Sequence, residues 1–379
     1  MPDVVILADT VRSATLRHEV PVAIPDPFLY AERDGERHVV VTSFEVPRLS
    51  ALGLYTIHPL EEFGLDELRG VSTSHDELMD EIVVRAVRAL GVKQAVVPGL
   101  FPLATADRLR HEGIELTPVR HLFAERRRVK SDAELAGIRR AQAAAHAGMA
   151  TARKLLAGAQ ARSDGLLELG GEPLTSERVK ASILAAFLAN GASSDDLIVS
   201  HGPQAAVGHD PGSGAIRAGE TIVIDMWPRD NESACFADMT RTFVVGEIPE
   251  EVAEWHRLCK EALVRALAAT RAGVTGKSVF DASCEVFEAA GFPTQRTKVP
   301  GVALDEGFLH SLGHGVGLEV HEEPSLGLVG RDPLVAGDVV TIEPGLYRPG
   351  FGGLRLEDLV LVAEDGVENL TDFPYELTP

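Results

Sequence analysis

The chain has 379 residues, 45% of them hydrophobic, and a formal charge of −21. Domains commonly run ~100–200 residues, so two domains are expected. The acidic balance argues against a nucleic-acid partner, which needs a basic face, and no run is long and apolar enough to cross a membrane.

Cys235, Cys259 and Cys284 are widely spaced and form no CxxC pair. Disulfide scaffolding is therefore not expected, and a reducing, cytoplasmic setting fits best. The first residues, Met1 to Asp9, lack the basic start and long apolar run of a signal peptide.

The first third reads as alternating α/β. Strand-like runs fall at Val4–Ala8, His38–Thr42, Gln94–Val97 and Leu116–Pro118. Between them, Glu77–Leu90 carries Leu78, Ile82, Ala86 and Leu90 on one helical face. No glycine-rich phosphate loop opens that helix, so a dinucleotide fold is not supported. A boundary falls in the basic run Arg126-Arg127-Arg128-Val129-Lys130. Ser131, with Glu134 three residues on, then predicts a capping box and a helix to about Leu156. A second helix fits Ser176–Leu188, stopped by Asn190-Gly191.

Strands follow at Asp196–Ser200, Thr221–Trp227 and Phe236–Val245, and then the order repeats. Helices fit Glu250–Ala272 and Lys277–Ala290, and strands fit Val339–Glu343 and Leu354–Val362. The residues repeat too. Gly219-Glu-Thr-Ile-Val-Ile-Asp225 matches Gly337-Asp-Val-Val-Thr-Ile-Glu343, and Phe236-Ala-Asp238 precedes an apolar strand as Arg355-Leu-Glu357 does. Two matches in register predict a duplicated half-domain whose pseudo-twofold axis gathers four carboxylates.

Those four acids, Asp225, Asp238, Glu343 and Glu357, lie in or beside apolar strand patterns. Any one of them alone is most simply a solvated strand end. Four brought together in an apolar setting repel one another unless cations neutralise them. With one imidazole they form a hard ligand set suited to Mn²⁺, with Co²⁺, Fe²⁺ or Zn²⁺ also able to bind. Two such ions polarise a carbonyl and activate water, which implies amide or ester hydrolysis. The run His310-Ser-Leu-Gly-His314-Gly-Val-Gly-Leu-Glu-Val-His321 places three histidines among glycines that permit close backbone approach. His209 lies in a loop before the first strand acid.

Asp238-Met-Thr-Arg-Thr-Phe243, His310–Pro324, Ile342-Glu-Pro-Gly-Leu-Tyr347 and Gly353-Leu-Arg-Leu-Glu-Asp358 resemble the motifs of the creatinase, prolidase and aminopeptidase P branch of the pita-bread metallopeptidases. The segment Arg126–Met149 is similar to that branch's interdomain helix, and the N-terminal third loosely resembles its accessory domain. The resemblance implies an α/β N-terminal domain, residues 1–126, and an α+β pita-bread catalytic domain, residues 127–379, with pseudo-twofold duplicated halves. It implies a two-metal exopeptidase acting on dipeptides or short peptides of the Xaa-Pro type, assembled as a homodimer.

By the same resemblance Asp225 binds one metal, Asp238 and Glu357 bridge the two, and His314 and Glu343 complete the other shell. Glu343 also shuttles the proton of the attacking water. His209 and His321 contact the substrate and stabilise the tetrahedral intermediate, His310 lines the pocket, and Arg355 orients the carboxylates and borders the substrate.

The chain departs from the family pattern between the first two acids. An Asp-x-Gly turn is replaced by Asp225-Met226-Trp227-Pro228, Gly-Tyr by Cys235-Phe236, and the gap is two residues longer. Trp227 and Arg348 join His209 and His310 as candidate groups for a proline pocket, and a relaxed proline requirement is expected. Two other readings compete: a creatinase-like hydrolase of a non-peptide C–N bond, and a catalytically inactive binding protein on the same fold. Both lack the metal ligands that this sequence retains.

Overall fold

The computed structural model describes residues 2–72 and 74–379. Its contacts divide into two compact units, Met1–Arg127 and Arg128–Pro379.

The first unit is built on a six-stranded mixed sheet. Its strand order is Thr56–Pro59, Glu36–Val41, Phe28–Arg33, Asp3–Ala8, Gln94–Val97 and Glu115–Pro118. Alternation along these strands sends Val5, Leu29, Ala31 and Val40 to one face, where they pack with Leu78, Ile82 and Leu109. Val4, Ile6, Tyr30, Val39 and Val41 pack on the other face with Leu16 and Leu49. The helix predicted from Leu78, Ile82, Ala86 and Leu90 runs His75–Ala89 and is capped by Ser74. Two strands escape the sequence pattern for physical reasons. Phe28–Arg33 is central and buried on both faces at its start, so it does not alternate. Thr56–Pro59 is a four-residue edge strand that ends in proline.

The second unit repeats a helix pair over a sheet. Asp132–Gly158 and Ser176–Ala189 cover a three-stranded sheet ordered Ile198–His201, Ile222–Met226, Met239–Phe243. Met149, Ile183 and Phe187 pack there against Ile222, Ile224 and Phe243. Helices Glu250–Ala269 and Gly276–Ala289 do the same in the second half, where Trp255, Phe280 and Phe287 pack against Val340, Ile342 and Val360. That half holds a five-stranded sheet ordered Glu322–Leu326, Gly313–Gly315, Val339–Ile342, Asp358–Ala363, Gly366–Asn369. The Ser131 capping box forms as predicted, with both reciprocal hydrogen bonds present. Such a cap is worth ~1 kcal/mol and fixes where the first long helix starts.

The predicted strand Leu354–Val362 is two strands. Gly352–Arg355 pairs with Gly345–Arg348, and Asp358–Ala363 pairs with Val339–Ile342. The chain changes sheets at Leu356-Glu357, where the Glu357 N–H donates to the Thr240 carbonyl at 3.1 Å. Likewise Phe236–Val245 shortens to Met239–Phe243, which leaves Asp238 just outside its strand. In both halves the second acid therefore sits at a strand entrance, where backbone pairing does not dictate its direction.

Candidate metal centre and active site

Asp225 sits in the Ile222–Met226 strand opposite Thr240, and Glu343 follows the Val339–Ile342 strand. His314 lies between two glycines that closely appose neighbouring backbone. A Cβ on Gly313 would meet the Thr341 carbonyl oxygen at 2.0 Å, and one on Gly315 would meet that of Glu323 at 2.3 Å. The glycines of the histidine run are thus needed to bring the His314 strand in beside its partners.

Asp238, His314 and Glu357 offer ligand atoms that all lie within 4.8 Å of one another. Asp225 and Glu343 line the same cavity, of about 900 Å³, as do His209, His310, His321 and Arg355. The five candidate metal ligands, the three other histidines and Arg355 therefore all line one cavity. The cluster of three is the tight core, and His314 Nε2 lies 3.5 Å from Glu343 Oε1 and 3.8 Å from Asp238 Oδ2. His314 Nδ1 lies 3.1 Å from the Gly315 carbonyl, which fixes the proton there and leaves Nε2 as the free donor atom.

The electrostatics of this group call for a cation. Burial, then the charges of Glu357, Asp225 and Glu343, holds the Asp238 carboxyl far above its ordinary range. Burial, then Glu343 and Asp225, does the same to Glu357. Glu343 is pushed up to about 8 by burial and the neighbouring Asp225, against the opposing pull of Arg355. Asp238 Oδ1 is buried without a hydrogen-bond partner. Burial and the nearby His321 hold His314 down at about 4, so its ring is neutral and able to ligate at physiological pH. A hard oxygen-rich donor set with one imidazole fits a divalent ion.

Behind the acids lies a chain of fixed donors. Arg355 donates through Nη2 to Asp225 Oδ2, through Nη1 to Tyr347 Oη at 2.9 Å, and through Nε to Thr240 Oγ1 at 3.2 Å. Thr240 Oγ1 in turn donates to Glu357 Oε2 at 2.7 Å. Tyr347 Oη lies 2.9 Å from His310 Nε2, whose other nitrogen contacts the Ser311 carbonyl at 2.7 Å. Burial, then Arg355, depresses His310 to about 3, which keeps its ring neutral and able to accept the tyrosine proton. His321 stacks edge-on against His314 with ring centroids 4.2 Å apart.

Tyr347 and Thr240 were not assigned roles from the sequence. Both lie inside quoted motifs, but a hydroxyl on a buried strand gives no signal of its partner. Arg348, a candidate from sequence, does not line the cavity. It pairs with Glu251 and Glu306 and stacks over Trp255. Trp227 does line it. The reshaped hairpin after Trp227 folds back as a two-residue strand, Arg229–Asp230, on Ala192–Ser193. It is pinned by Arg140, which grips Asp230 at 3.0 and 2.8 Å.

Two helix-covered half-sheets that close on a buried carboxylate and histidine cluster define a metal-dependent hydrolase of the pita-bread class. The chain belongs to metallopeptidase family M24, whose sequence profile matches residues 136–364. It is similar to the Xaa-Pro dipeptidase of Pyrococcus furiosus, 37% identical over 183 residues that cover 48% of this chain and 49% of that protein. It is 33% identical to a protein described as probable dipeptidase PepE of Mycobacterium bovis, over 74% of this chain and 68% of that one. The matched region is thus about half the length of the archaeal relative and about two thirds of the mycobacterial one. Among solved structures, dipeptidase PepE from Mycobacterium ulcerans superposes with a TM-score of 0.76 at 26% identity, covering 100% of this chain and 92% of that chain.

Proposed function

We propose that this chain is a two-metal, manganese-preferring dipeptidase that releases the N-terminal residue of dipeptides and short peptides, with Xaa-Pro among its substrates and tolerance of residues other than proline. The observation that carries the reading is the buried group of Asp238, His314 and Glu357, whose ligand atoms lie within 4.8 Å of one another. Asp225 would hold one ion, Asp238 and Glu357 would be shared between the two, and His314 and Glu343 would complete the ligand set of the other. When bound, the divalent ions polarise the scissile carbonyl and ready a water for attack.

The chain's own residues do the rest. Glu343 takes the proton of the attacking water and returns it to the leaving amine. His321 and His209 donate to the carbonyl oxygen as it gains charge, the kind of support worth ~2.7–4 kcal/mol per donor. Arg355 holds Asp225 in place, and through Tyr347 it holds His310 against the substrate. Catalysis belongs to residues 127–379, and residues 1–126 form the accessory domain. A homodimer and a cytoplasmic location complete the proposal. Light scattering that reports a monomer at micromolar concentration would remove the dimer.

The test is a panel of Xaa-Pro, Xaa-Xaa and Xaa-Pro-Xaa peptides, resolved by product, with the protein stripped by chelator and reconstituted with each divalent ion. Turnover restored best by Mn²⁺, with free N-terminal residue as product, is expected. Full activity in the stripped protein would reject the reading.

A further inference from the structure

The cavity wall beyond Asp225 carries chemistry that hydrolysis itself does not use. Ile198 and Asp225 face each other in the antiparallel ladder between Ile198–His201 and Ile222–Met226. Residues directly opposed across such a ladder share a face of the sheet, as do residues two apart on one strand. Asp196 and Trp227 lie just outside this ladder, each two residues beyond the Ile198–Asp225 pair. All four line the cavity. Ser194 ties this end together. Its Oγ donates to the Asp196 carbonyl at 2.6 Å and lies 3.4 Å from the Trp227 carbonyl oxygen.

Asp196 is exposed, and its Oδ1 accepts the Leu197 N–H at 2.8 Å. No described lysine or arginine pairs with it, in contrast to Asp230 or Glu251. The carboxylate is not one of the tightly grouped ligand set of Asp238, His314 and Glu357. Beside it are the half-buried Trp227 indole and the buried Ile198. An apolar stem bordered by an aromatic face and ending at a free carboxylate matches a long side chain with a cationic head. The cavity, at about 900 Å³, lies toward the large end of the ~300–1,000 Å³ range of small-ligand pockets, so it has room for such a side chain beyond the scissile bond.

We propose that Asp196, Trp227 and Ile198 form a subsite for a lysine or arginine side chain, so that the enzyme favours peptides whose N-terminal residue is basic. The proposal rests on the peptidase reading given above. It assigns the N-terminal residue to this wall because the wall runs on from Asp225 of the acidic cluster, which attracts a peptide's α-ammonium and repels its terminal carboxylate.

The experiment compares kcat/KM for lysyl-proline, arginyl-proline, norleucyl-proline and glutamyl-proline on the metal-loaded protein. The basic substrates are expected to exceed norleucyl-proline by about 5–20-fold, the scale of one ion pair plus one cation–π contact. In Asp196→Asn that ratio should fall to near one, and in Asp196→Lys glutamyl-proline should become the best of the four. A second readout needs no turnover. The chain has two tryptophans, and Trp255 is 1% exposed, so a shift in emission on ligand addition reports on Trp227. Metal-free protein should respond to lysyl-proline at a lower concentration than to norleucyl-proline, and Asp196→Asn should erase the difference. A ratio near one in the unmodified protein, or a ratio that Asp196→Asn leaves intact, overturns the proposal. If no peptide is hydrolysed while the emission still discriminates, the peptidase reading fails and the subsite stands.

Discussion

Nη2 of Arg355 donates to Oδ2 of Asp225, joining the two duplicated halves across the metal centre. Arg355 is 5% exposed, and its charge acts on Asp225, Glu343 and Glu357. Burial opposes its charge, but the surrounding Tyr347, Asp225, Glu343 and Glu357 more than offset that and hold it protonated. Arg355→Met removes this internal counter-charge. The metal-free protein should lose ~3–5 kcal/mol of stability, the cost of breaking a buried ion pair from one side. Denaturant unfolding with and without Mn²⁺ checks it. Added metal should recover part of the loss, because it supplies positive charge to the same acids. Arg355→Lys should fall between the two, since an ammonium cannot reach Asp225, Tyr347 and Thr240 together.

Tyr347 is placed to hold His310 rather than to touch the metals. Tyr347→Phe removes the hydroxyl from between His310 Nε2 and Arg355 Nη1 and leaves both without that partner. An unpaired buried donor or acceptor costs ~1–3 kcal/mol. Metal content should be unchanged, while kcat/KM falls by about 5–160-fold, the same energy expressed as a rate. Loss of metal from this variant would place Tyr347 among the groups that support the ligands instead.

Ligand and substrate roles separate in two further variants. Asp238→Ala deletes a member of the tight cluster, and metal analysis should show reduced occupancy together with lost turnover. His321→Ala should keep both ions yet lower kcat by ~10²-fold or more, as expected for removal of a donor to the developing oxyanion. His321 also stacks on His314, so metal loss in this variant would reassign it from substrate contact to ligand support.

The pH dependence of the bare protein has a defined sign. Glu343 has an ordinary value of 4.5 and is raised to about 8 in the fold by burial and Asp225. Between those values the folded chain holds a proton that the unfolded chain has released, so stability falls as pH rises through the window. Asp238 and Glu357, raised for the same reasons, act in the same direction. Metal uptake must displace those protons, so apparent affinity should rise with pH up to about 8. Thermal unfolding of chelator-treated protein from pH 5 to pH 8, repeated with saturating Mn²⁺, checks both. A metal-free Tm that climbs across this window would contradict the carboxylate cluster as drawn.

Much of the catalytic unit was legible in the sequence because it is built twice. The match of Gly219–Asp225 to Gly337–Glu343 reports strands of the same length that end in acids at equivalent places. The capping box at Ser131 and the stop at Gly191 mark helix ends by local chemistry alone. The accessory unit was read less completely. Phe28–Arg33 is sandwiched at the centre of its sheet, and Leu103–His111 is a polar helix with only three buried residues, so neither shows a clear period. Leu354–Val362 was read as one strand because its apolar residues run almost unbroken. Only the pairing partners divide it at Glu357.

Sequence by itself determined which side chains carry the chemistry, since an acid or histidine inside an apolar, repeated strand pattern announces its own cost. It also marked the hairpin at Trp227 as reshaped. What it left undecided is which atoms meet. Hydrogen bonds such as Tyr347 to His310, Arg355 to Asp225 and Thr240 to Glu357 span 37, 130 and 117 positions, and no local period encodes a separation of that kind. The fate of Trp227 and Asp196 was settled in the same way. They belong to separate segments, and the pairing of Ile198 with Asp225 beside them goes with both lining one cavity.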